Sequence, residues 1–157
     1  MSRDSSVIRV TSLELVRSKV QRILTDNFGS VQVDRDGDFL LRFEKTRCFV
    51  SVEEGIADVK TIVRIDALIL RSLKLTKELY EWVAVDGQDY KIGSCFIWKD
   101  ESGKVGSLFY GYGLAADDLD ASELTLGIGC VGFTADLLAT ELQPTFGGET
   151  FFEEDGG

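Results

Sequence analysis

The stretch from Asp117 to Gly148 constrains the fold most, because one predicted helix there carries apolar residues on opposite sides. Leu124, Ile128, Val131, Ala135, Leu138 and Leu142 succeed one another in steps of four and three, which keeps them on one helical face. Leu126, Cys130, Phe133 and Leu137 share that spacing, yet at about 100° per residue they point almost directly away from the first set. A peripheral helix in a domain of this size normally covers one face. The second stripe is therefore expected to meet another helix, a second copy of the chain, or a polypeptide client. The helix is expected from about Asp120, where Asp120-Ala121-Ser122-Glu123 forms a capping box, to Gln143, ahead of Pro144.

The same signals organise the rest of the chain. Thr11-Ser12-Leu13-Glu14 reads as a capping box that starts a first helix. Its apolar face is Leu13, Val16, Val20, Ile23, Leu24 and Phe28, and Gly29 supplies a left-handed end. Residues 31–33 allow a short strand. After the Asp36-Gly37 turn, residues 39–44 and 47–53 read as strands, with Cys48, Val50 and Val52 alternating against Phe49 and Ser51. Residues 59–70 give a third strand whose later part is open to irregularity. Thr76 begins a short helix with Leu79, Trp82 and Val83 inward, and residues 93–99 and 105–112 form a last hairpin around Asp100-Glu101-Ser102-Gly103. The order helix, three strands, helix, two strands, helix predicts an α+β domain with an antiparallel sheet, because hairpin-length connections cannot join parallel strands. One domain is expected over residues 1–157, with disordered tails at about 1–6 and 153–157.

Charge and composition exclude more than they specify. Through Leu79 the chain has 14 Lys and Arg against 12 Asp and Glu, and from Tyr80 onward 3 against 15, so the net −10 resides in the second half. A field of that sign repels phosphate backbones, so no nucleic-acid partner is expected. No apolar run reads as a membrane span and none as a signal peptide, so no membrane partner is expected and the location is expected to be cytoplasmic. Cys48, Cys95 and Cys130 are odd in number, widely spaced and flanked by apolar residues, and are expected to be reduced and buried. The chain has no histidine, which removes the commonest general base and metal ligand.

Several motifs have competing readings. Gly127-Ile128-Gly129-Cys130-Val131-Gly132 matches a dinucleotide-binding glycine pattern, but that loop needs a strand before it, whereas here a capped helix start precedes. Close helix packing is the favoured reading, and a strand at residues 124–127 would reopen the other. Asp34, Asp36 and Asp38 resemble the start of a calcium loop, with Phe39 where the glycine belongs, and read as a polar turn. The acids Asp117, Asp118, Asp120 and Glu123 are accounted for by helix capping, so no metal is expected. Phe96, Trp98, Tyr110 and Tyr112 lie on adjacent predicted strands and read either as core or as an aromatic peptide-binding face.

The acidic run from Leu114 to Leu124, the sequence from Ala135 to Gly148 and the order of elements resemble the YbjN and type III secretion chaperone-like superfamily. The resemblance covers nearly the whole chain. It implies a compact α+β domain, often a homodimer, that binds other polypeptides and carries no catalytic residues. The combined expectation is a non-enzymatic protein-binding domain, chaperone-like or regulatory, without cofactor, whose partner is a polypeptide client or regulatory protein. The candidate binding residues are Leu126, Cys130, Phe133, Leu137, Phe96, Trp98, Tyr110 and Tyr112. The alternative is a sensory or stress regulator that binds a small ligand or nucleotide at the glycine cluster.

Overall fold

A computed structural model describes residues 2–152, with side chains from residue 12 onward. Residues 153–157, and with them the expected C-terminal tail, lie outside the described residues. The elements are α1 (Ser2–Phe28), β1 (Gln32–Val33), β2 (Phe39–Arg42), β3 (Arg47–Glu54), β4 (Thr61–Lys74), α2 (Lys77–Val85), β5 (Ser94–Lys99), β6 (Val105–Ala115) and α3 (Ala121–Phe146). A 3-10 turn, Asp86–Gln88, follows α2. The expected α+β architecture is what the chain adopts, with the short β1 added to the anticipated order.

All strand pairs are antiparallel, in the spatial order β1-β2-β3-β4-β6-β5. Registers align Cys48, Ala67, Tyr110 and Cys95 across four strands on one face. The next rows on that face are Val50, Ile65 and Tyr112, then Val52, Val63 and Leu114. This is the period-two pattern predicted for β3 propagated across the sheet. Against it pack α1, through buried Val20, Ile23 and Leu24, and α3, through Leu124, Ile128, Val131, Ala135, Leu138 and Leu142. The inner stripe expected for α3 is thus the centre of the core. At about 1.5–3 kcal/mol per large aliphatic side chain removed from water, it is a main source of folding free energy. Leu79 of α2 closes the β5 end of the same layer, where Gly87 lies against the Cys95 side chain.

Four expectations need correction. Helix α1 runs through Thr11 instead of starting there, because the apolar periodicity that defines it has no steric stop upstream. Helix α3 runs to Phe146 with Pro144 inside its last turn. A proline removes one amide and the carbonyl contact behind it, and so near the helix end only a single bond is lost; the Gly147 amide restores closure onto the Gln143 carbonyl at 2.8 Å. Cys130 is exposed, since its helical phase places it on the outer stripe, whereas Cys48 and Cys95 are buried as expected. By length and mean hydropathy α3 also meets the requirement for crossing a bilayer, which the sequence reading did not anticipate, although its inner stripe is the domain core.

Strand β4 continues past its expected end to Lys74, but irregularly. Its register against β6 shifts between Leu68 and Leu70 and again between Leu70 and Leu73, and Ser72 takes a left-handed φ of 56°. Past the start of β3, the β3-side edge of β4 is finished by other groups. The Thr46 hydroxyl donates to the Leu68 carbonyl, and Arg71 exchanges two backbone hydrogen bonds with Glu149, at 2.8 and 2.9 Å.

Candidate functional site

The outer face of α3 carries large apolar side chains left uncovered. Leu126, Phe133 and Leu137 are 69%, 66% and 65% exposed, and Cys130 is exposed between them. Phe133 makes an edge-on contact with Phe43 at 5.6 Å between ring centroids. The glycines beneath this face explain how the helix approaches the sheet. A Cβ on Gly132 would lie 2.3 Å from the Phe43 ring, and one on Gly127 would lie 3.2 Å from Ile65. All three glycines of the nucleotide-like pattern therefore lie within a helix, two of them at close contacts, with no strand before them. Close packing is the reading the geometry supports.

The four aromatics proposed as one face are divided by the sheet. Tyr110 is 1% exposed on the helix side, where its hydroxyl donates to the Ile92 carbonyl and burial pushes its pKa up to about 12. Tyr112 packs against the same core. Phe96 and Trp98 have the opposite parity and lie on the outer face. There Phe96 stacks on Phe109 at 5.4 Å with rings 10° from parallel, and Trp98, 72% exposed, meets the Phe109 edge at 6.2 Å. Tyr110 and Tyr112 thus follow the core reading and Phe96 and Trp98 do not, because hairpin register decides which face pairs, and a turn of uncertain length leaves register open by one residue.

Strand β5 is also a sheet edge. The Asp100 amide closes onto the Val105 carbonyl, while the Gln88 side-chain amide takes the Cys95 carbonyl from the other side. In an antiparallel strand the backbone groups alternate, so Ile97 and Lys99 turn their N–H and C=O groups toward the open edge. Beside it, an open groove of about 410 Å³ runs across the outer face, lined by Arg71, Ser72, Trp98, Lys99 and Phe109 among others.

The outer face carries further residues that the sequence reading passed over. Phe49 lies in the row opposite Asp66, and Phe151 packs on it at 6.2 Å. The Arg42 guanidinium sits 3.7 Å above the Phe152 ring, and Arg47 lies 4.9 and 5.5 Å from Phe151 and Phe152. Arg64 and Asp66 form an ion pair at 2.7 Å within the same face. Burial raises the Asp66 pKa and Arg64 opposes the rise. The available signal was Phe49 between Cys48 and Val50, an apolar residue of outward parity.

The acidic motifs do structural work. Asp117 accepts from the Lys60 and Thr61 amides and the Thr61 hydroxyl, which hold its carboxyl below the usual range, the Lys60 bond most. Asp120 caps α3 through the Ser122 amide. Asp34 accepts from the amides of Asp36 and Asp38, a polar turn with Gly37 at φ 85°. Among the described residues no cluster of His, Cys, Asp or Glu is arranged to hold a metal.

Residues 14–154 match a family model described as T3SS (YopN, CesT) and YbjN peptide-binding chaperone 1. Among solved structures, the chain resembles YbjN from E. coli with a TM-score of 0.62 at 8% identity, over 81% of this chain and 90% of that one. It also resembles a chain of the ExsC-ExsE complex with a TM-score of 0.54 at 15% identity, over 78% and 92% respectively. At these identities the structural likeness is one of fold. No curated protein matches in sequence.

Proposed function

The chain belongs to the T3SS and YbjN peptide-binding chaperone 1 family, and from that premise we propose that it binds extended polypeptide, without catalysis, in a chaperone-like or regulatory role. The observation that carries this reading is the family match over residues 14–154. The geometry agrees with it in two ways: an edge strand flanked by Trp98, Phe96 and Phe109, and an apolar helical face at Leu126, Cys130, Phe133 and Leu137. An open edge supplies backbone hydrogen bonds to an extended chain, and neighbouring aromatics supply side-chain pockets. The helical face is assigned to a second copy of the chain in an isologous homodimer, so that the sheet remains for the client. A cytoplasmic location is supported by the three free thiols.

Selection from a phage-displayed random peptide library on the immobilised protein tests the reading. Enrichment of sequences whose synthetic peptides bind in solution, and whose binding weakens in a Trp98→Ala variant, is the expected result. A library that enriches nothing above the bare support overturns it.

A further inference from the structure

The outer face of the sheet is already occupied at one place by the chain itself. After α3 the backbone turns through Gly147 and Gly148, at φ 75° and 81°, and residues 149–152 return across the sheet. Glu149 pairs antiparallel with Arg71, in the notch beside β4 left where β3 begins. Its carboxylate lies 3.6 Å from the Arg71 Nε. Thr150 and Phe152 are buried, Phe151 stacks edge-on against Phe49, and Arg42 and Arg47 lie over the two phenylalanine rings. Gly148 is held so close to β4 that a Cβ would come within 2.7 Å of the Arg71 carbonyl.

Each of these contacts is of a kind made to an extended ligand: a backbone ladder, pockets for side chains, and cations over aromatic rings. The segment is short, follows two glycines with positive φ, and makes one isolated backbone bridge to the sheet in place of a continuous ladder. Such an element opens at low cost compared with the core. The charges are complementary as well, with Arg71 beside the Glu149 carboxylate and Arg42 and Arg47 over the rings of Phe152 and Phe151.

We propose that the notch formed by Arg71, Phe49, Arg42 and Arg47 is a peptide site for an extended segment with an acidic residue followed by paired aromatics, and that residues 149–152 occupy it in cis as a displaceable latch. The inference rests on the polypeptide-binding reading above and adds where the peptide sits and what it carries. The groove at Trp98 and Phe109 begins at Arg71, so a client longer than the latch gains contacts that the latch does not make. That difference is what allows displacement, since a tethered competitor acts at an effective concentration on the order of millimolar.

The test uses the full-length protein and its Phe151→Ala, Phe152→Ala variant, with a fluorescein-labelled peptide of the sequence of residues 147–155 as probe. Fluorescence anisotropy is expected to show the variant binding the peptide at least about ten-fold more tightly than the wild type, because the tethered competitor is weakened. Adding Arg42→Glu and Arg47→Glu to that variant is expected to abolish the gain. Equal binding by wild type and variant, or binding by neither while the variant retains its circular dichroism, overturns the latch. Should the variant unfold, amide exchange of the wild type decides. Arg71 and Glu149 amides exchanging faster than that of Ala67 support a latch, and exchange at the rate of Ala67 overturns it. A latch that fails while the phage-library selection still yields binders leaves the wider reading intact, whereas failure of both removes it.

Discussion

Cys48, Cys95 and Cys130 each have an apolar neighbour in the sequence, yet only the first two are inside the domain. Burial raises the pKa of the Cys48 thiol, with Asp136 and Asp66 adding to the rise, and pushes that of Cys95 up to about 12. A buried thiol of that kind is neither accessible nor ionised at neutral pH. Titration of the native protein with a thiol reagent is therefore expected to consume one equivalent quickly and the other two only on denaturation. The fast phase should vanish in Cys130→Ser; three fast thiols, or none, would contradict the assigned faces. Apolar flanks could not separate the three in advance, because on a helix the neighbours in sequence lie about 100° apart and say little about the residue between them. The i±3 and i±4 residues say more. Leu126, Phe133 and Leu137 share the phase of Cys130, and all four are exposed.

Helix α3 was the most legible element, and its inner stripe of six residues is buried as the spacing predicted. The hairpins were legible too, since alternation in Cys48, Val50 and Val52 fixes which face of β3 is inward. What sequence could not supply was the pairing across strands. Tyr110 and Phe96 lie in neighbouring strands but on opposite faces, and the tail at Phe151 and Phe152 returns to strands over a hundred residues away in sequence. The glycines of α3 turn this distinction into a prediction. Gly129 has nothing near its would-be Cβ except Phe133 at 4.0 Å, so Gly129→Ala is expected to stabilise the protein by up to about 1 kcal/mol through helix propensity. Gly132→Ala gains the same propensity but must expel the Phe43 ring, and is expected to lower the melting temperature. Denaturant melts of the two variants check this, and a stabilising Gly132→Ala would show that the Phe43 contact carries no constraint. Asp136 links the same helix to the β2–β3 turn by accepting from the Glu44 and Lys45 amides at 3.1 and 2.9 Å.

At the scale of the whole molecule, stability should depend on acid groups that act in opposite directions. Asp117, Asp120 and Asp100 are held below the usual carboxylate value by hydrogen bonds, from the Lys60 amide, the Ser122 amide and the Ser122 and Ser102 hydroxyls among others. A depressed acid contributes stability that is present above its unfolded pKa and lost as pH falls through the folded value. Asp38 and Asp66 are raised, burial being the largest cause, and their contribution is full at low pH and lost as pH rises through the raised values. The melting temperature is thus expected to fall on acidification below about pH 4, less steeply in Asp117→Asn than in the wild type. Identical pH profiles for the two would remove Asp117 from the account. Assembly is the other property of the whole molecule, and it depends on the outer stripe of α3. Leu126, Phe133 and Leu137 are each about two-thirds exposed, and at about 25 cal/mol per Å² covering them together is worth several kcal/mol. Helix α3 has no Lys or Arg, so nothing basic interrupts that face. A second copy of the chain offers a stripe of the same chemistry, and an isologous pair buries both at once. Because these side chains contribute little to the monomer core, the Phe133→Asp, Leu137→Asp variant is expected to stay folded, with a circular dichroism spectrum like that of the wild type. Sedimentation should then show a wild-type dimer and a monomeric variant. A variant that unfolds would place the two side chains in the monomer core after all. A wild type that remains monomeric at its highest soluble concentration would free the helical face from self-association and leave it to the client.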